Sequence, residues 1–312
     1  MYFFIVFIYD PIYNIKGELY TMSDIKERLI FTIKDMLKTQ ALLNVKTNGE
    51  RYISDRPTTD KGKFISYPIC MKMEAAELLD SVPWKHWKYN ENKYDIDNIR
   101  IEIIDILHFV LSIHIDHSAR ALLRDDEKLE DKTVLEHVDE LIKFMESKND
   151  NTNYMELLFD YLQPNVDYEL RESKKMLESG EDAYVGFEHY IDLLLKFTFE
   201  RNIMCIRQLY EVVFILYGLT CLVENKNANV DLQYILTDVY ELYQAKLTLN
   251  KFRQDHGYNE GTYKKMWKLD NGEEVEDNVF ITRFIAQRPT LIGGYTLEQH
   301  LEKFYKKQFI EE

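Results

Sequence analysis

Ile99-Arg100-Ile101-Glu102-Ile103-Ile104-Asp105-Ile106-Leu107-His108-Phe109-Val110-Leu111 is apolar on nearly every side, with Ile99, Ile103, Leu107 and Leu111 recurring every four residues. That spacing predicts a helix over about 96–117 that is buried on several sides. Glu102 and Asp105 sit inside this run, where a bare carboxylate carries a heavy desolvation penalty, so something cationic should offset them. Their spacing of three puts both on one helix face, with Cβ atoms roughly 5–6 Å apart. The segment before it repeats the device: Glu74-Ala-Ala-Glu77 lies in a helical pattern over about 65–81 that stops near Pro83. If the two helices pair antiparallel across the 82–95 connection, four carboxylates converge. Such an all-oxygen set suits hard Mg²⁺ or Mn²⁺, with the remaining positions left to water and phosphate oxygens. A single pair of this kind is ordinarily a solvated face with Lys or Arg partners. Two pairs on neighbouring helices outweigh that reading. A di-iron bundle needs ExxH on two helices; Asp105-Ile-Leu-His108 imitates one half, but Glu77 is followed by Asp80 rather than His, which makes iron the weaker option.

The rest of the chain is consistent with a helical bundle. Eleven Gly and six Pro in 312 residues are too few for a many-turned sandwich or barrel, and the 46% hydrophobic content supplies a core without staples. Ser23 is placed as an N-cap, and Ile25, Leu29, Ile33, Met36, Leu37 and Leu43 mark an amphipathic helix running to about Asn44. Residues 45–63 are polar, contain Gly and Pro, and read as a surface loop. Further helices are expected at about 133–147, 152–162, 183–200, 203–223 and 231–255, with turns at Gln163-Pro164-Asn165 and at Glu178-Ser179-Gly180, and with Gly257 ending the last of them. A Gly- and Tyr-rich tail follows. The expected organisation is an N-terminal extension over 1–22 and one all-α body over 23–312, carrying a variable helical region at about 118–230. The opening run Met1–Tyr9 is apolar but too short to span a bilayer, and it lacks the cationic flank and cleavage site of a signal peptide.

Thirty-nine basic against 54 acidic residues give a net charge of −15, which repels a polyanion and argues against a nucleic-acid polymer as partner. Cys70, Cys205 and Cys221 fall inside apolar helical patterns without CxxC pairing, as expected of reduced core residues in a cytoplasmic protein with no membrane partner. One segment breaks the acidic trend: residues 246–268 carry six cations (Lys246, Lys251, Arg253, Lys264, Lys265, Lys268) against Asp255 and Glu260. Lys246, Asn250 and Arg253 share one helical face, and Gly257 and Gly261 allow a Tyr and a Lys to fold back towards it. This pattern suits a phosphate clamp. A cationic helix end that complements its own dipole would not account for Asn250 in the same stripe.

Taken together, these blocks resemble the dimeric all-α dUTP diphosphatases, a family that includes phage relatives hydrolysing dCTP and dUTP. Glu74-Ala-Ala-Glu77-Leu-Leu-Asp-Ser81-Val-Pro-Trp84-Lys-His-Trp87-Lys88 is similar to the family's first metal motif with its WKxWK tail. Glu102-Ile-Ile-Asp105-Ile-Leu-His108-Phe109 is similar to the second motif. Leu249-Asn250-Lys-Phe-Arg253-Gln-Asp-His-Gly257-Tyr258 through Trp267, then Glu276-Asp277-Asn278, is similar to the C-terminal motif, and Gln40 with Asn44 corresponds to the element near the base. The resemblance covers about a quarter of the chain. It departs from the family in a longer link over 267–278 and in Tyr52, which stands where the family has Trp.

The resemblance implies an all-α NTP pyrophosphatase-like fold and a homodimer. It makes Glu74, Glu77, Glu102 and Asp105 the ligands of Mg²⁺, with Mn²⁺ as a substitute, and the acids of catalysis. Lys246, Asn250, Arg253, Tyr258 and Lys265 become phosphate contacts, and Gln40, Asn44, Trp87, His108 and Phe109 lie near the nucleoside. The implied reaction takes dUTP, and dUDP, to dUMP with release of pyrophosphate or phosphate, limiting uracil incorporation into DNA. Two alternatives stand beside it: a dCTP/dUTP diphosphatase of phage type, since an amide side chain can turn to serve either base, and a partner-binding regulatory protein that keeps the fold.

Overall fold

The apolar run becomes α3 (Ile96–Leu122), the central helix of an all-α bundle, and Ile99, Ile103, Ile104, Leu107, Val110 and Leu111 are all fully buried. The computed structural model describes residues 22–53, 56–87, 93–122, 131–149, 152–199, 204–269, 271–286 and 297–309; the extension expected over 1–22 lies outside them apart from Met22. Before α3 come α1 (Met22–Asn48) and α2 (Tyr67–Asp80); after it come α4 (Val134–Glu146), α5 (Tyr154–Ser179), α6 (Ala183–Phe199), α7 (Met204–Glu224) and α8 (Leu232–Asp255). Two short strands, β1 (Lys148–Asn149) and β2 (Thr152–Asn153), pair before α5. The chain then forms an antiparallel hairpin of β3 (Met266–Lys268) and β4 (Glu274–Glu276), followed by α9 (Asp277–Ala286) and α10 (Leu297–Phe309). α3 packs against α1, α2, α4, α7, α8 and α9, so its apolar surface is covered on all sides. α7 is long and apolar enough to cross a membrane, but most of it is buried inside the bundle. One hydrophobic core runs from α1 to α10 and includes the helices of the 118–230 region.

Several expectations need correction. The first helix already includes Met22, so Ser23 lies in its first turn rather than at its cap, and it runs on to Asn48 until Gly49 turns away at φ +102°. The loop after it is not wholly at the surface: Tyr52 and Ile53 are each 1% exposed. Pro164 does not end a helix. It lies inside α5, where Leu158, Phe159, Leu162, Val166 and Leu170 form a buried stripe on both sides of it. An interior proline costs about 3 kcal/mol, whereas each fully buried Leu or Phe contributes about 1.5–3 kcal/mol, so five of them outweigh the local signal. The Gly- and Tyr-rich tail contains the hairpin, α9 and α10. Trp267 is fully buried among Phe252, Phe280, Phe304 and Tyr305 and donates its indole N–H to Lys264 O at 2.8 Å, which fixes β3 against α8, α9 and α10. Gln308 of α10 bonds both Lys268 N (2.9 Å) and Lys268 O (2.6 Å), closing the edge of the hairpin.

Candidate metal centre and its surroundings

The backbone N–H of Asp95 bonds Ser81 O at 3.0 Å and Asn98 Nδ2 bonds Ser81 Oγ at 2.7 Å, so the end of α2 meets the start of α3 and the two helices run antiparallel. This brings Glu74 beside Glu102 and Asp105, with ligand oxygens of the three within 4.8 Å of one another. Glu77, the fourth expected ligand, is exposed one turn further along α2; its charge acts on Glu74 and Glu102, but it stands outside that set. Burial raises the Glu102 carboxyl well above the ordinary value, and its hydrogen bond to Glu74 and the charge of Asp105 push the same way. Burial and the charge of Asp105 raise Glu74 as well. Both shifts favour uptake of a positive charge, a proton or a cation, by the pair.

The expected cationic offset is Lys246, whose ammonium donates to Asp105 Oδ2 at 2.7 Å and to Asn278 Oδ1 at 2.7 Å from a side chain only 2% exposed. One ammonium against three clustered carboxylates leaves two negative charges when all are ionised. A divalent cation would cancel them, and a site of carboxylate oxygens alone fits Mg²⁺ or Mn²⁺ rather than zinc or iron.

α8 lies alongside α3 in antiparallel register. His108 faces Tyr243 with ring centroids 4.6 Å apart, and one turn away Asp105 faces Lys246. The stripe of Lys246, Asn250 and Arg253 is thus set against the acids, but two members of the basic island are already committed. Arg253 grips Asp277 through Nε (2.9 Å) and Nη2 (2.6 Å), donates to Asn278 Oδ1 at 3.0 Å, and reaches Asn250 Oδ1 at 3.3 Å. Asp277, the first residue of α9, is fully buried and also accepts from the Tyr263 hydroxyl at 2.7 Å. Although burial opposes the charge of Arg253, the hydrogen bonds and charge of Asp277 outweigh it and hold the guanidinium ionised. Gly257 and Gly261, at φ +82° and +73°, do fold the chain back: Arg253 lies 5.8 Å and Lys265 5.6 Å from the Tyr258 ring, and Tyr258 and Lys265 are exposed.

Beyond Asp105, the α3 stripe continues through His108 to Ser112, roughly 10 Å along the helix. Here Gln40 and Asn44 of α1 are buried in a polar network with His108, Ser112, Tyr52 and Tyr243. Burial lowers the His108 imidazole to about 4 and keeps it neutral. Phe109 is half-buried, with its ring 6.3 Å from Tyr67. Trp87 is not brought into this group; it is 58% exposed and stacks edge-on with Trp84 and His86. Sequence reasoning missed Ser112 and Tyr243 as members of the site, and it had Asp277 and Asn278 in the C-terminal motif without a role. The first two were findable, since Ser112 lies four residues after His108 and Tyr243 three before Lys246. None of the three cysteines forms a disulfide; Cys205 and Cys221 are buried as expected of core residues, with burial raising the Cys221 thiol to about 11, whereas Cys70 is only half-buried.

A family model described as dUTPase matches residues 32–258, which carry both acidic pairs, the Gln40–Asn44 element and α8. No curated protein matches the chain significantly. The match spans well over half of the 312 residues, and with three carboxylates gathered on the helices it covers, the chain belongs to the dUTPase family of nucleotide pyrophosphohydrolases.

Proposed function

We propose that the protein hydrolyses dUTP, and dUDP, to dUMP with release of pyrophosphate or phosphate, using Mg²⁺ held by Glu74, Glu102 and Asp105. The observation that carries this reading is the clustering of those three carboxylates, braced by buried Lys246, in a chain of the dUTPase family. Mg²⁺ bound there supplies charge neutralisation for the phosphate chain and acidifies water. Lys246 fixes the Asp105 carboxylate in place and spreads the negative charge of the cluster. Glu74 or Glu77 is assigned the proton of the attacking water, Glu74 as the more accessible of the hydrogen-bonded pair and Glu77 one turn away on the solvent side. Lys265 and Tyr258, exposed at the end of the α8 stripe, are assigned to the phosphates, and the Gln40–Asn44 amides to the pyrimidine. α2 leaves Ile69 and Met73 exposed on one face (58% and 56%), which supports a homodimer formed through that helix. The test is a panel of dUTP, dCTP, dTTP and dUDP with Mg²⁺, followed by ³¹P NMR of the products. Release of pyrophosphate from dUTP is expected; turnover of none of the four would refute the assignment.

A further inference from the structure

α10 lies beyond residue 258, where the family match ends, yet it holds the segment that carries Tyr258 and Lys265 at several points. The buried Tyr305 ring of α10 stacks on Tyr263, with centroids 5.3 Å apart and planes within 4°. Tyr263 in turn lies 6.1 Å from the Tyr258 ring. The Tyr305 hydroxyl oxygen accepts the backbone N–H of Lys264 at 3.1 Å. Beside that bond, Lys264 O accepts from the Trp267 indole at 2.8 Å and Lys265 O from Asp277 N at 2.9 Å, so the backbone at Lys264–Lys265 is tied to β3, α9 and α10 together. The grip extends both ways along the chain. Glu302 lies 3.4 Å from His256 Nε2 at the end of α8, and Gln308 bonds Lys268 on the hairpin. Between these points stand Gly257 and Gly261, both at positive φ, and glycine loses more freedom on ordering than any other residue. The Tyr258 and Lys265 side chains are exposed, so the backbone beneath them has to supply their order.

We propose that Tyr305 is a positioning residue for the phosphate end of the site: by holding Lys264 N and the Tyr263 ring, it presents Lys265 and Tyr258 where the phosphate chain arrives. Tyr305 touches no substrate. It acts on Lys265 and Tyr258 by ordering their backbone beforehand, which lowers the entropy lost when they close on a ligand. This inference rests on the proposed dUTP reading, with Lys265 and Tyr258 as phosphate contacts, and deepens it by naming what orders them.

The test measures kcat and KM for dUTP, and inhibition by deoxyuridine, in the wild-type protein and in Tyr305→Phe. Phenylalanine keeps the stacked ring and removes only the hydroxyl that accepts Lys264 N. KM for dUTP should rise about two- to tenfold, at most the equivalent of one neutral hydrogen bond, with kcat within about twofold of the wild-type value. Inhibition by deoxyuridine, which has the base and sugar but no phosphate, should not change. An equal weakening of dUTP and deoxyuridine would overturn the proposal, because a merely structural role gives that result. Should Tyr305→Phe not fold, hydrogen exchange at the Lys264 amide of the wild-type protein decides. Slow exchange supports the proposal, and exchange at the rate of an open chain overturns it. Wild-type protein that hydrolyses dUTP, with an unchanged KM in Tyr305→Phe, would overturn this inference alone, whereas wild-type protein that does not hydrolyse dUTP would overturn the dUTP reading and this inference with it.

Discussion

Replacing Arg253 by Met separates two roles that the sequence alone would merge. As a phosphate ligand, Arg253 would cost kcat/KM on the order of 1.5–3 kcal/mol when lost, with stability nearly unchanged. In the structure its Nε and Nη2 are both on Asp277, which is 0% exposed and, among the described residues, would keep only the Tyr263 hydroxyl as a side-chain donor. Removing one partner of a buried, hydrogen-bonded ion pair costs about 3–5 kcal/mol, because the other charge stays buried and unpaired. At about 2 °C per kcal/mol for a chain of this length, Arg253→Met should lower Tm by about 6–10 °C. The double variant Arg253→Met/Asp277→Leu should recover most of that loss, since no lone charge remains. Differential scanning calorimetry of the two variants reads both quantities. A Tm within about 1 °C of wild type in Arg253→Met, together with weakened dUTP kinetics, would refute the brace and return Arg253 to the phosphate.

Glu102→Gln should abolish hydrolysis while the fold survives, because an amide keeps the shape but supplies no strong bond to Mg²⁺. It should also alter the pH dependence of stability in EDTA. The folded-state value of Glu102 is raised above the ordinary 4.5, so its contribution is complete below that value and is lost as pH rises through the folded value; Tm should fall towards alkaline pH in the wild-type protein and fall less in Glu102→Gln. Trp267→Ala should destabilise by about 3–5 kcal/mol in urea unfolding, as expected for emptying a buried aromatic site; a loss under 1 kcal/mol would mean that the hairpin and α10 are not held by that cluster. Pro164→Ala should raise the urea midpoint by an amount equivalent to about 1–3 kcal/mol, since burial rather than local preference carries α5 through this position. A lower midpoint would show that the helix needs the proline.

The helices were legible where burial and periodicity agreed. Ile99, Ile103, Leu107 and Leu111 mark α3 and bury as their spacing demands, and Asp105 found the cation it required in Lys246, across a helix interface, whereas Glu102 is hydrogen-bonded to Glu74. Local reading failed where a tertiary contact overrode it. Pro164 reads as a turn, and only the buried stripe around it keeps α5 whole. The Gly- and Tyr-rich tail hides a hairpin whose signal is Asn271-Gly272, with Gly272 at φ +85° between β3 and β4. Arg253 looked like a free cation because its partner, Asp277, lies 24 residues later and on another helix. Gln40 and Asn44 were legible as a pair one helical turn apart, but the groups that hold their amides, Ser112, Tyr52 and Tyr243, come from other segments of the chain.

The central claim is that Glu74, Glu102 and Asp105 hold the divalent ion on which nucleotide hydrolysis depends. Its most direct test is calorimetric titration of Mg²⁺ into metal-free protein, paired with dUTP turnover measured over the same Mg²⁺ range, for wild type and Asp105→Asn. The wild-type protein should bind Mg²⁺ and turn over dUTP only as the ion is added, and Asp105→Asn should lose both together. Turnover in EDTA, or an Asp105→Asn protein that binds Mg²⁺ and hydrolyses dUTP as well as the wild type does, would contradict the account.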